Sequence, residues 1–234
     1  MDLENIPARG SNQRLAGSIV LAAIVLSSIG RAAAATCESL PAPSVQVKRQ
    51  NAPVTLDTSY DHKSITTLGS KEHHSRNRVL GLTRGTSRIG FQIDIRSVID
   101  PTRQWECASP KISVTYGFDP LTVYVAKEFP KGSCAFNEIH QHELRHVQTY
   151  HNHLASIERD IAETLAKRFE IGKPFRGAVG QTRQMLEKEL NERWIPYLRS
   201  EIERVESLQA LIDTPEEYER VSRSCGDAIQ RVIR

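Results

Sequence analysis

Between Ser133 and Ile171 the chain has neither glycine nor proline, and the run ends only at Gly172-Lys173-Pro174. Ser133, just after Gly132, is placed to cap a helix start, so one long helix is expected from about Cys134 to Glu170. Leu154, Ile157, Ile161 and Leu165 recur every three or four residues and give it an apolar stripe. Near its start lies His142-Glu143-Leu144-Arg145-His146. On a helix, residues four apart share a face one turn apart, so both imidazoles can reach one metal ion. Glu143 then sits beside them, where a metal hydrolase places its general base.

Two histidines do not complete a zinc site, and a third protein ligand is required. His153 shares the face of His146 but lies about 10 Å further along the axis, and His151 points elsewhere. Val147-Gln148-Thr149-Tyr150 provides no glycine to break the helix and return a third histidine. The ligand must come from another element. Leu186, Leu190, Trp194, Leu198, Ile202, Val205 and Leu208 continue a helical rhythm to about Ile212, with a kink expected at Pro196. If this second helix folds back about Lys173-Pro174, position 203 faces Leu144. Glu203, Glu206 and Asp213 are then the carboxylates in or near range, with Asp213 favoured and Glu206 next. Thr214-Pro215-Glu216-Glu217 is a capping box that opens a third helix, which gives Glu217 a structural role.

Upstream, residues 36–130 carry short alternating segments punctuated by Pro and Gly: Val45-Gln46-Val47, Val54-Thr55-Leu56 and Ile89–Ile95. Lys111–Tyr116 and Leu121–Lys127 flank Gly117-Phe118-Asp119-Pro120 and are expected to form a hairpin. The polar run Lys71–Arg78, with His73 and His74, reads as a solvated loop. Strands first and helices after make an α+β fold with N-terminal antiparallel strands, a long-helix hairpin and a short C-terminal helix. It is one domain over 36–234, strand-rich to residue 130 and helical beyond.

Arg9 and Arg14 precede the uncharged run Leu15–Gly30, and Ala33-Ala34-Ala35 offers small residues for cleavage. These are the parts of a secretory signal peptide over residues 1–35. The run is shorter than the ~20 residues a span needs, so no stable membrane span is expected after cleavage, and the location is periplasmic or extracellular. Four cysteines in an exported chain point to disulfides. The hairpin would pair Cys107 with Cys134, leaving Cys37 with Cys225. A formal charge of only +3 argues against a nucleic-acid partner.

Through His142, Glu143 and His146 the chain resembles the zincin metallopeptidases. The run Leu121–Leu154 more closely resembles a group of bacterial exported proteins described as zinc-dependent proteases, with a Gly-Ser-Cys step into the motif helix and an Asp-Thr-Pro element and a Cys downstream. The resemblance spans roughly residues 79–225. It implies Zn²⁺ on His142 and His146, Glu143 as base, and a peptide or protein substrate in the envelope. The alternative is a non-catalytic envelope protein, with disulfide-stapled strands and helices that bind another component.

Overall fold

The computed structural model describes residues 36–69, 78–100 and 104–233. The expected signal peptide and all of the polar loop except Arg78 lie outside the described residues. The architecture is mixed α and β: one five-stranded sheet packed against a long helix and a chain of short ones.

The sheet is built on one central strand. β4 (Trp105–Val125) pairs antiparallel with β3 (Gly81–Asp100) along nearly its whole length. On its other side it meets, in succession, β5 (Phe175–Ala178), β1 (Ser44–Asn51) and β2 (Val54–Asp57). β1 and β2 run parallel to β4, which corrects the expectation of antiparallel N-terminal strands.

The expected hairpin at Gly117–Pro120 is also corrected, because these residues lie inside β4. Gly117 is needed for close approach, not for a turn: a Cβ there would collide with the Gln50 carbonyl of β1. Pro120 lies in the gap between the last pairing with β1, Asn51 opposite Phe118, and the first with β2, Val54 opposite Leu121. β3 shifts register between Gly85 and Ser87, opposite the same gap. A missing N–H therefore interrupts no ladder with β1 or β2.

With no hairpin, the cysteine pairing changes. Cys37 bonds Cys107 and Cys134 bonds Cys225, with Cα–Cα separations of 5.5 and 5.7 Å, in place of the expected Cys107–Cys134 and Cys37–Cys225. All four cysteines are consumed, so none is a metal ligand.

A short helix, α1 (His62–Gly69), precedes β3. α2 (Cys134–Phe169) is the expected long helix, and the Ser133 hydroxyl accepts from the Phe136 N–H at its start. Its stripe, with Leu154, Ile161 and Leu165 at most 1% exposed, packs on Ile112, Val114 and Tyr116 of β4. The Tyr116 hydroxyl donates to the Leu154 carbonyl at 2.9 Å, which satisfies a polar group deep in the core.

The chain then returns antiparallel to α2, as α3 (Thr182–Glu189), a π-helical stretch (Leu190–Trp194), α4 (Ile195–Glu203) and α5 (Val205–Gln209), rather than as one kinked helix. Contacts at Arg168–Glu189, His153–Glu201 and His146–Gln209 fix this register. The reversal runs through β5, past Lys173-Pro174, so residues facing the motif lie further along than position 203. α6 (Pro215–Arg223) and α7 (Ala228–Ile233) complete the chain.

Candidate metal centre

The shifted register delivers Asp213 to the motif. His142 Nε2 and His146 Nε2 lie 3.1 and 3.2 Å from Asp213 Oδ1, and 3.2 Å from each other. Both histidines are buried and Asp213 is partly so. These three residues form a cluster that can hold a metal ion. Glu203 is exposed on the return leg, whereas Glu206 lines the cleft without joining the cluster. His153 bonds the Glu201 carbonyl at 2.8 Å, a structural role.

The chemistry of the donors fits a cation. Gln209, 4% exposed, donates its amide N–H to the His146 carbonyl, which turns its Oε1 toward His146 Nδ1 at 2.8 Å. That oxygen requires an N–H on Nδ1, and a neutral His146 then carries its lone pair on Nε2, inside the cluster. At His142 two partners compete for Nδ1. Glu217 Oε1, at 3.2 Å, accepts from an Nδ1–H, while Arg145 Nη2, at 2.7 Å, donates to a bare one. The Glu217 arrangement leaves a second lone pair facing Asp213. Two lone pairs and a carboxylate oxygen within 3.2 Å of one another repel unless a proton or a metal sits among them. Outer partners of this kind fix ring orientation at metal sites.

Electrostatics agree. Burial alone would lower the His146 pKa, but the Asp213 hydrogen bond and the Glu143 and Asp213 charges outweigh it and raise it. Asp213, despite its own burial, is held well below the usual carboxylate range by the two histidines. These partners favour a proton on His146 facing Asp213, and metal uptake would displace it.

Glu143 occupies the same cleft, 4% exposed. Burial raises its pKa, against the pull of His146 and His142. The Thr83 hydroxyl donates to its Oε2 at 2.8 Å. Gly81 leaves room for it: an added Cβ would sit 2.5 Å from Glu143 Oε1 and 2.6 Å from Ile139 Cγ2. Gly81→Ala is therefore expected to lower unfolding stability by about 1–3 kcal/mol, read as a fall in the thermal midpoint. An unchanged midpoint would mean that Glu143 can move aside freely.

α6 walls the cleft opposite. Thr214 caps it as expected, accepting from the Glu217 N–H. The Glu217 side chain does not fold back to close the capping box; it reaches Arg145, Arg220 and His142. The Arg220 hydrogen bond, helped by His142 and Arg145, draws its pKa to about 2. A depressed carboxylate contributes stability that is present above its ordinary value of 4.5 and lost as pH falls toward about 2. Metal-free Glu217→Gln should therefore lose less thermal stability than wild type across that window. Parallel loss in both proteins would contradict the assignment. Tyr218, at the rim, has its ring centroid 6.4 Å from that of His142; partial burial and the Asp213 and Glu143 charges push its phenol up, so it stays protonated.

The sequence reading does not single out Thr83, Gln209 or Tyr218, and it gives Glu217 only a capping role. Gln209 left a signal. It follows Leu198, Ile202 and Val205 at intervals of four, three and four, a polar residue on a buried apolar face. Leu208, placed on that face by its rhythm, is 41% exposed.

Comparison with protein-family models, with curated proteins and with solved structures finds no match to this chain.

Proposed function

We propose that the protein is a zinc-dependent hydrolase acting on peptide bonds. The observation that carries this is the convergence of His142 Nε2, His146 Nε2 and Asp213 Oδ1, at 3.1–3.2 Å, beside the buried carboxylate of Glu143. Two imidazoles and one carboxylate are a donor set that zinc accepts while leaving a coordination position open. Bound there, zinc would supply Lewis acidity for activating water and polarising a carbonyl.

The chain's own residues do the rest. Glu143, its pKa raised by burial, accepts the proton of the attacking water and returns it to the departing amine. Thr83 holds one carboxylate oxygen and leaves the other for the water. The Tyr218 phenol, kept protonated, donates toward negative charge developing on the carbonyl oxygen.

A cleft of about 570 Å³ surrounds these groups, with Val79, Leu80, Leu82, Ile139 and Val221 supplying apolar wall. An extended peptide with an apolar side chain suits it. The strand expected to hold such a peptide, Leu121–Lys127, cannot do so: it lies mostly in β4, flanked there by β2 and β3. The start of β3 is the better placed edge. Gly81–Thr83 line the cleft, and among the described residues β3 pairs with β4 alone.

The test is incubation of the zinc-loaded protein with an unfolded protein substrate, followed by mass spectrometry. New peptide termini should appear, vanish with a chelator and return with zinc. No new termini at full zinc occupancy would overturn the hydrolase reading and favour a metal-bound structural or binding protein.

A further inference from the structure

The two disulfides sit in opposite surroundings. Cys37 and Cys107 are 5% and 0% exposed, in the stapled end of the sheet. Cys134 is exposed and Cys225 half-buried. This second bridge joins the first residue of α2, two turns before His142, to the segment just beyond α6.

That placement ties down the arm carrying half of the metal centre. Residues 213–233 supply Asp213, the Glu217 carboxylate on His142 and Tyr218, whose ring centroid lies 6.4 Å from that of His142. Yet α6 buries none of its residues. Apart from the bridge, the arm is held by the Arg145–Glu217 and Arg220–Glu138 ion pairs and by the buried Ile229, with Val221 and Val232 packed against the core. The backbone at the bridge is itself constrained. Cys225, Gly226 and Asp227 have φ of 62°, 59° and 62°, a left-handed run that two of the three residues disfavour. Opening the bridge removes one constraint that holds them there.

We propose that Cys134–Cys225 is a redox latch on the metal centre: closed, it presents Asp213, Glu217 and Tyr218 to His142 and His146; open, it lets the arm withdraw and weakens metal binding. The proposal rests on the metal centre described above and adds its regulation. An external dithiol is the reductant. Its thiolate attacks the exposed Cys134 sulfur, the S–S bond breaks, and Cys225 leaves as a thiolate that takes up a proton. The second thiol of the reductant then displaces Cys134, which is protonated in turn. The bridge gains two electrons and two protons, and the dithiol ends as its disulfide.

Two measurements test the latch. Zinc affinity, read by competition with a chromogenic chelator, is compared between the oxidised wild type and Cys134→Ala/Cys225→Ala, with circular dichroism as the check on folding. The variant should bind zinc about 10- to 100-fold more weakly, the loss expected when ligands lose their outer support. The second measurement uses the wild type alone and so does not depend on the variant folding. Linkage is reciprocal, so zinc must protect the bridge by the factor by which the bridge favours zinc. In graded dithiothreitol buffers, alkylation at Cys134 should require more reducing conditions with buffered zinc than without, while Cys37–Cys107 is unmoved. Zinc affinities within twofold of each other, or equal opening with and without zinc, overturn the latch and leave the metal centre intact. A wild type that takes up no zinc overturns the metal centre, and the latch falls with it.

Discussion

Glu143→Gln is expected to retain bound zinc and to lose hydrolysis by about 10²–10⁴-fold, the range that a positioned general base contributes. The amide is nearly isosteric, and Thr83 can still hydrogen-bond its oxygen, so the cleft should keep its shape. What is lost is the ability to accept a proton. Because Glu143 is outside the three-atom cluster, zinc affinity should change little. Zinc content by elemental analysis and cleavage by mass spectrometry, on the same preparation, separate the two effects. Loss of zinc together with activity would mean that Glu143 is a ligand, not a base.

The complementary change removes the metal. His146→Ala deletes one of three donors and also orphans Gln209, whose Oε1 faces His146 Nδ1 in a buried setting. Zinc affinity should fall by more than the ~10- to 100-fold typical of outer partners, and activity with it. Asp213→Ala should do the same, because among the described residues no other carboxylate completes a group with these histidines. Unchanged zinc binding in Asp213→Ala would leave the two histidines without the assigned third ligand.

The motif was legible because it depends on one helix: spacing alone puts His142, Glu143 and His146 on one face. The third ligand depends on where the chain reverses. Gly172-Lys173-Pro174 looks like the turn, but the chain continues into β5 before coming back. That delay moves Glu203 out of range and Asp213 into it. The expected disulfide pairing fails for a related reason. Gly117 and Pro120 carry the chemical marks of a turn, yet in β4 one accommodates the Gln50 carbonyl and the other fills a gap between two parallel strands. Local propensity cannot distinguish a glycine that turns the chain from one that another strand crowds. Gln209 was visible as a polar residue in an apolar rhythm. Nothing local marks Thr83, whose role exists only because β3 packs beside α2.

On this reading His142, His146 and Asp213 together hold one metal ion. Crystals of the full chain grown with one equivalent of zinc, with data collected on both sides of the zinc edge, test it most directly. One anomalous peak per chain is expected, about 2 Å from His142 Nε2, His146 Nε2 and an Asp213 carboxylate oxygen. A peak elsewhere, or none among these three atoms at stoichiometric zinc, would contradict it.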